Sequence, residues 1–328
     1  MIGPVLDDYP REIRELSWRC LDSSGGLSGA RIWQGIDGRS PRYALKCWPR
    51  EFSETRLAEI HLWIDCAVRT NDCPFVPRII RTLTGGTTVT LLGHVWDLME
   101  WCPGAATFDQ SPQRRKLAVM IDALAKLHRA WEPAVADVRP APGILRRLRV
   151  LQECSAAADG DQLSRRATAI LREYVPRLWK GLVEWSERAL PIQPCHCDPR
   201  HDHWLFEGEK LTGLIDYGAA KYDSPAIDLA RCLGDTVCEH PDLFYFGEEH
   251  YHHLRGRRDF PEALTRLLAA TTTVGAVIGW LQQRQRLFKQ EQKPGHTEPS
   301  MDLVLAEQRL KLLVVRLETS PVFRELLT

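Results

Sequence analysis

The segment that most constrains the fold lies between residues 195 and 218 and is dense in histidine, cysteine and aspartate. It reads Cys195-His-Cys-Asp-Pro-Arg-His-Asp-His-Trp-Leu-Phe206 and then, after a short gap, Leu211-Thr-Gly-Leu-Ile-Asp-Tyr-Gly218. This pattern is typical of short apolar strands, each of which delivers an acid at a turn. The acids are Asp198 and Asp216, and His203 is a further ligand candidate between them. Two carboxylates at the mouths of paired strands predict a cage for a divalent cation and a phosphate chain.

Length and composition set limits on the protein class. The chain has 328 residues with 43 basic and 43 acidic side chains, so it suggests two domains and argues against a nucleic-acid partner. Its start carries acids and no apolar run, so we expect no secretory signal there. The uncharged stretch 267–281 is shorter than the roughly 20 residues that span a bilayer, so we expect a buried helix and no membrane partner. Ten cysteines without regular spacing predict reduced thiols and a cytoplasmic location.

The order of predicted elements indicates an α+β fold with a strand-rich first part and a helical second part. Period-2 alternation predicts a strand at 16–20, and further strands are expected at 32–33, 43–48, near 80, 87–92 and 95–101. Ser53 is placed to cap a helix. Helical periods follow from Ser111-Pro112 through Trp131 and then at 144–153, 163–185, 262–284 and 301–317, with a proline-rich connection at 133–143. We therefore expect an N-terminal lobe at 1–102 and a C-terminal lobe at 103–328.

The dense segment resembles the catalytic loop of the protein-kinase-like fold, in the version used by aminoglycoside phosphotransferases and choline kinase-like proteins. The pattern there is H-G-D-x-x-x-x-N, then a strand, then I-D-F-G, and Asp198, position 203 and Asp216-Tyr-Gly keep that spacing. Downstream, Asp223-Ser-Pro-Ala-Ile-Asp-Leu-Ala230 resembles D-P-x-x-D-L-A, whose second aspartate, here Asp228, supports the loop. The resemblance implies a two-lobed fold with an antiparallel-sheet N-lobe and a mainly helical C-lobe.

Upstream residues fit the same family in order and lobe. Tyr43-Ala-Leu-Lys46 resembles V-A-I-K, which implies that Lys46 contacts the nucleotide's α/β-phosphates and that Ala44 lines the adenine slot. Glu59 is the best candidate to pair with Lys46, and Glu54 is the alternative because helix phase alone does not choose. The nucleotide-binding set is completed by the glycine-loop residues Gly25, Gly26 and Gly29, and by backbone groups of Glu100 and Cys102 in the linker Leu98-Met-Glu-Trp-Cys-Pro-Gly104.

The resemblance implies an ATP-dependent kinase that transfers the γ-phosphoryl group to a hydroxyl of a small molecule. Asp198 would accept the hydroxyl proton, while Asp216 and His203 would hold Mg²⁺ or Mn²⁺. Two residues depart from the pattern: Cys197 replaces glycine, which we expect to change loop geometry, and His203 replaces the metal-binding asparagine. An imidazole nitrogen is a softer ligand than an amide oxygen and suits Mn²⁺ or Zn²⁺ better than Mg²⁺.

Other interpretations remain open at this point. His203 at a metal position also suits a catalytically silent kinase-like module that binds a nucleotide or a partner. Cys195, Cys197, His201 and His203 could form a zinc site, although Cys-x-Cys is closer than the usual C-x₂₋₄-C spacing. The acceptor is open among choline, sugars, homoserine and antibiotics, and so is the oligomeric state.

Overall fold

The computed structural model describes residues 2–21, 29–108, 112–153, 161–291 and 301–327. The chain divides into two compact units that exchange segments along the sequence. The first unit is Met1–Thr107, Arg129–Trp131 and Asp202–Ala220, and the second is Phe108–His128, Glu132–His201 and Lys221–Thr328.

An antiparallel sheet of five strands forms the body of the first unit. Its strands are β1 (Ser17–Leu21), β2 (Arg31–Asp37), β3 (Ser40–Cys47), β4 (Val89–Leu91) and β5 (His94–Glu100), in the order β1-β2-β3-β5-β4. Two short helices, α1 (Gly3–Leu6) and α2 (Arg11–Arg14), contribute side chains to its core, and α3 (Glu54–Arg69) follows β3. The strand predicted near residue 80 is reduced to an isolated bridge between Ile79 and Met99.

Local sequence signals explain the ends of these elements. The Ser53 hydroxyl accepts a hydrogen bond from the Arg56 amide at 3.1 Å, which confirms the predicted cap of α3. In the glycine tract, Gly25 and Gly26 lie outside the described residues. Gly29 has φ +65°, the left-handed region that favours glycine, directly before β2.

A second antiparallel hairpin belongs to the first unit although it lies far along the sequence. It consists of β8 (Trp204–Glu207) and β9 (Lys210–Leu214), with single 3₁₀ turns at His201–His203 and Tyr217–Ala219. The Leu214 amide donates to the Phe75 carbonyl at 2.9 Å, and Ala105 and Phe206 exchange two main-chain hydrogen bonds. The division predicted at 102/103 therefore has to be corrected, because these hydrogen bonds assign residues 202–220 to the N-terminal unit.

The second unit is mainly helical. Its helices are α4 (Arg114–Ala130), α5 (Pro142–Gln152), α6 (Gln162–Ser186), α7 (Pro225–Thr236), α8 (Pro241–Arg255), α9 (Glu262–Glu291), α10 (Met301–Thr319) and α11 (Pro321–Arg324). A small antiparallel sheet joins β6 (Asp137–Pro140), β7 (Ala189–Cys195) and β10 (Lys221–Asp223) in the order β10-β7-β6. The predicted proline-rich connection thus contains a strand, whose register pairs Asp137 with Ile192.

Apolar periodicity locates the helical core correctly. Leu117, Ile121, Leu124 and Leu127 on α4 are all 0% exposed, as the predicted stripe requires. Helix α6 runs through Pro176 without ending there.

By length and composition alone, the part of helix α9 at Glu262–Phe288 is long and apolar enough to cross a membrane. In this fold, 67% of its most apolar window is buried inside the protein. Leu268, Val274 and Val277 are 0% exposed, which agrees with the predicted buried helix.

Candidate active site

A cavity of about 310 Å³ lies entirely within the first unit. Its walls are mostly apolar and include Leu21, Ile32, Ala44, Met99, Leu205 and Ile215. Charged and polar side chains enter it at Lys46, Asp216 and His203. An apolar slot with a few converging polar groups is the usual form of a small-molecule site.

The linker after β5 forms one wall of this cavity. The Glu100 amide donates to the Arg78 carbonyl at 2.9 Å, so an adenine contact by Glu100 would have to use its carbonyl. Within the described ranges, no hydrogen-bond partner is recorded for the Cys102 amide, which leaves that donor for a ligand. Burial raises the pKa of the Cys102 thiol to about 12, so the sulfur stays protonated. A Cβ on Gly213 would lie 2.5 Å from the Cys102 Cβ, so only glycine permits this close approach of β9.

Lys46 is held from two sides at the cavity wall. Its Nζ lies 2.8 Å from Asp216 Oδ1 and 3.9 Å from the centre of the Trp48 ring. Asp216 has φ +62°, the left-handed region that non-glycine residues enter rarely and that aspartate enters more often than most. The two residues are 170 positions apart in the sequence, and the fold brings them into contact.

The predicted ion pair between Glu59 and Lys46 is not formed. Glu59 lies partly exposed on α3 and bonds to Arg56 of its own helix, because the inward face of α3 is taken by apolar residues and His61. The alternative, Glu54, instead accepts hydrogen bonds from the Thr88 and Thr90 hydroxyls.

A buried polar network attaches α3 to the sheet instead. His61 Nε2 lies 3.0 Å from Asp97 Oδ2, and the Trp48 indole donates to Asp97 Oδ1 at 2.9 Å. Asp97 is 0% exposed and is paired in register with Lys46 on the neighbouring strand. His61 therefore ties the helix to the strand next to Lys46. Asp97 also orients the Trp48 indole, which lies against the lysine.

His203 and Asp216 fit the coordination of one cation. His203 Nε2 lies 3.7 Å from Asp216 Oδ2, and the His203 ring is buried. Two ligand atoms that are each about 2.1 Å from a shared ion are roughly 3.0 to 4.2 Å apart. The mixed nitrogen and oxygen set suits Mn²⁺ better than Mg²⁺, and two protein ligands would leave further positions for phosphate oxygens and water.

In the second unit, Asp198 lies on the loop that follows β7. Arg231 Nε donates to Asp198 Oδ1 at 2.8 Å, and Arg200 Nε lies 3.7 Å from the other oxygen. The preceding residue, Cys197, has φ +65°, the conformation that glycine adopts most easily. We expected the replacement of glycine by cysteine at this position to change the geometry of the loop. The φ angle of Cys197 is nevertheless one that glycine adopts, so the replacement does not change the loop at this angle.

One buried carboxylate supports this loop, as predicted. Asp228 accepts the amide hydrogen bonds of His196 at 2.7 Å and Cys197 at 2.6 Å. Its Oδ2 also lies 3.0 Å from His128 Nε2, while His128 Nδ1 lies 2.6 Å from the Tyr251 hydroxyl. Burial lowers the pKa of His128, so we assign a neutral ring that donates to Asp228 and accepts from Tyr251.

The zinc interpretation loses support from these contacts. Cys195 Sγ donates to the Asp223 carbonyl at 3.3 Å, and His201 Nδ1 lies 2.6 Å from Asp235 Oδ2. Burial raises the pKa of both Cys195 and Cys197, whereas zinc binds the thiolate. Among the described residues, the group with metal-like geometry is His128, Cys195 and Asp228, and this carboxylate already accepts the hydrogen bonds described above.

Two residues beside the predicted set were not anticipated. Trp48 is two positions beyond Lys46, a spacing that places both on one face of an extended chain. Arg231 is three positions beyond Asp228 on α7, which is the spacing of neighbours on a helix. Either spacing could have marked the residue as a neighbour of a predicted site residue, but neither spacing shows which group the side chain contacts.

Comparisons with known proteins identify a family and several relatives. The family model described as the phosphotransferase enzyme family matches residues 22–270. A homoserine kinase from Beijerinckia indica is 32% identical over 183 residues, which are 53% of this chain and 54% of that kinase. The chain thus spans about half the length of this curated relative.

Solved structures show the same fold at low identity. A spectinomycin phosphotransferase in complex with ADP and spectinomycin has a TM-score of 0.67 and 13% identity, over 98% of this chain and 97% of that one. An amicoumacin kinase in complex with AMP-PNP, Ca²⁺ and Ami has a TM-score of 0.63 and 12% identity, over 97% and 93%. These matches confirm the predicted α+β, protein-kinase-like architecture.

Proposed function

Since the chain belongs to the phosphotransferase enzyme family, we propose that it transfers the γ-phosphoryl group of ATP to a hydroxyl group of a small molecule. The observation that carries this proposal is the apolar cavity of the first unit, into which the Lys46–Asp216 pair projects. An apolar slot beside a lysine and a metal-binding carboxylate suits a base and its phosphates.

Each residue contributes positioning or charge to the proposed reaction. Lys46 binds the α/β-phosphates, and the Cys102 amide donates to adenine. Asp198, which Arg231 orients, accepts the proton of the acceptor hydroxyl. The oxygen of that hydroxyl forms a bond to the γ-phosphorus, and the bond between the γ-phosphorus and the bridging oxygen of the β-phosphate breaks. Asp216 and His203 would hold a divalent cation, and such a cation would neutralise phosphate charge. No residue need form a covalent intermediate.

For the acceptor we propose a small polar metabolite with a primary hydroxyl, and homoserine is the first candidate because the curated relative is named a homoserine kinase. We also propose that the protein is located in the cytoplasm. None of the nine cysteines in the described ranges forms a disulfide, which fits a reducing compartment.

The test combines nucleotide binding with turnover. Thermal melting with ATP and either Mg²⁺ or Mn²⁺ is followed by ADP release over L-homoserine, 3-aminopropan-1-ol, choline, sugars and aminoglycosides, with phosphorylated product identified by mass. We expect metal-dependent stabilisation and transfer to at least one hydroxyl compound. Stabilisation without transfer to any of them would favour the silent module, and loss of both would contradict the nucleotide site.

The His203→Asn variant tests the metal assignment. Because an amide oxygen is a harder ligand than imidazole, we expect the ratio of activity with Mg²⁺ to activity with Mn²⁺ to rise, by roughly tenfold if one ligand bond decides the preference. The exposed His253→Asn is the matched control and should leave the ratio unchanged. Unchanged metal dependence in His203→Asn would show that the imidazole is not a ligand.

A further inference from the structure

One face of α7 carries three charged side chains that all contact the same short segment of the second unit. Asp228, Arg231 and Asp235 are three and four residues apart, the spacing of neighbours along one helix face. The segment is 196–201, which follows β7 and carries Asp198. Asp228 binds the start of this segment, Arg231 binds Asp198, and Asp235 binds its end. The segment is therefore held at three points by one helix.

Asp235 fixes both the main chain and the side chain of His201, three positions beyond Asp198. Its Oδ2 accepts a hydrogen bond from the His201 amide at 2.8 Å and lies 2.6 Å from His201 Nδ1. Burial raises the pKa of this carboxyl, but the hydrogen bond from His201 and the nearby arginine charges outweigh it and hold the pKa well below its usual value. Asp235 is therefore a carboxylate at neutral pH.

The other oxygen of Asp235 reaches Asp198 through an arginine. Asp235 Oδ1 lies 3.9 Å from Arg231 NH1, and Arg231 Nε donates to Asp198 Oδ1 at 2.8 Å. A guanidinium is a rigid planar group, so a contact at one nitrogen restricts the direction in which the others donate. Asp235 thus acts on Asp198 along two routes, through the main chain at His201 and through the side chain of Arg231.

A residue near the C-terminal end of the chain completes this series. Arg316, on α10, donates from NH1 to Asp235 Oδ1 at 3.3 Å, and the two side chains are only 14% and 10% exposed. The end of α10 is fixed beside the end of α7, since the Ser320 hydroxyl donates to the Cys238 carbonyl at 2.6 Å. Helix α10 is therefore coupled to the face of α7 that holds the segment 196–201.

We propose that Asp235 is a positioning residue for Asp198, and that Arg316 makes α10 part of the catalytic machinery by holding Asp235. This inference rests on the proposed phosphotransfer, in which Asp198 is the base. The charges alternate in sign from Arg316 through Asp235 and Arg231 to Asp198, so removing one member leaves its neighbour without an opposite charge.

The kinetic test replaces Asp235 with alanine. Because a displacement of about 1 Å at a reacting group can cost about 100-fold in rate, we expect kcat to fall by roughly 10- to 100-fold. The Kd for ATP with the metal ion present should stay unchanged, because the cavity proposed for the nucleotide lies in the first unit. Asp235→Asn keeps an acceptor oxygen for His201 and should retain more activity than Asp235→Ala.

Arg316→Gln tests the contribution of α10. This change leaves the hydrogen bonds between Asp235 and His201 in place, so we expect a smaller fall in kcat, of roughly threefold, the size of one partly exposed ion pair. The exposed Lys311→Gln, on the same helix, is the matched control and should leave kcat unchanged.

A double-mutant cycle separates positioning from a purely structural role. If Asp235 acts through Asp198, Asp235→Ala should lower the residual kcat of Asp198→Asn by a much smaller factor than it lowers the kcat of the wild type. An equal factor in both backgrounds, or a loss of ATP affinity as large as the loss of kcat, would overturn the proposal. If Asp235→Ala does not fold, Asp235→Asn provides the same comparison.

Hydrogen–deuterium exchange tests the link without any turnover. Peptides of the full-length protein that span residues 196–201 should exchange faster in Asp235→Ala, less so in Arg316→Gln, and at the wild-type rate in Lys311→Gln. If this pattern holds but the wild type phosphorylates no compound, the proposed function fails while the attachment of the segment stands. If the wild type is active and Asp235→Ala changes neither the exchange nor kcat, the positioning role is wrong and the proposed function stands.

Discussion

Replacing Asp198 with asparagine is expected to lower kcat by about 10²- to 10⁴-fold, the usual contribution of a positioned general base. Asparagine retains the shape of the side chain and an oxygen that can accept the 2.8 Å hydrogen bond from Arg231, so the loop should keep its structure. The amide cannot take up the acceptor proton. We therefore expect the Kd for ATP, measured by calorimetry with the metal ion present, to stay unchanged.

The control for this experiment is Asp72→Asn, which changes an exposed acid of the first unit and should leave kcat unaltered. A normal kcat in Asp198→Asn would show that another group receives the proton. A loss of ATP affinity as large as the loss of kcat would instead show that the substitution disturbs nucleotide binding rather than proton transfer.

Replacing Asp228 with alanine is expected to cost about 3–5 kcal/mol of unfolding free energy, as is usual when one member of a buried charged network is removed. The substitution leaves the His196 and Cys197 amides and His128 Nε2 without their acceptor in a site that is closed to water. For a chain of this size, the corresponding fall in melting temperature is roughly 10 °C. Asp228→Asn keeps one acceptor oxygen and should lie between the wild type and Asp228→Ala.

Asp242→Ala is the matched comparison for Asp228. Asp242 also lies in the first turn of a helix, α8, but is exposed, so its loss removes only a helix-dipole interaction of about 0.3–1 kcal/mol. If Asp228→Ala were no more destabilising than Asp242→Ala, the three hydrogen bonds to Asp228 would contribute nothing beyond that interaction.

The sequence predicted those parts of the site that depend on spacing within one segment. Asp198 and His203, five positions apart, and the Asp216-Tyr-Gly turn were identified from local pattern. Lys46 was identified through the resemblance of Tyr43-Ala-Leu-Lys46 to the V-A-I-K pattern. Such features are readable because the geometry of a turn or a strand is set by residues that are close together in the chain.

Features that depend on packing between distant segments were not predictable in this way. Helix phase could not choose between Glu54 and Glu59, and neither pairs with Lys46, since the inward polar residue is His61. The assignment of residues 202–220 to the first unit depends on hydrogen bonds to Phe75 and Ala105, more than 90 positions upstream. The hydrogen bond from Arg147 on α5 to Thr272 on α9 likewise depends on packing between helices that are distant in the sequence.

The attachment of α3 has a consequence for regulation. A helix that holds a catalytic lysine through one exposed acid can swing outwards and switch an enzyme off, because breaking a solvated ion pair is cheap. Here α3 is anchored through His61 to Asp97, in the interior of the sheet, while Lys46 is positioned independently by Trp48 and Asp216. Displacing this helix would leave the buried Asp97 carboxylate without its His61 partner, so the contact favours a first unit in which α3 stays packed against the sheet.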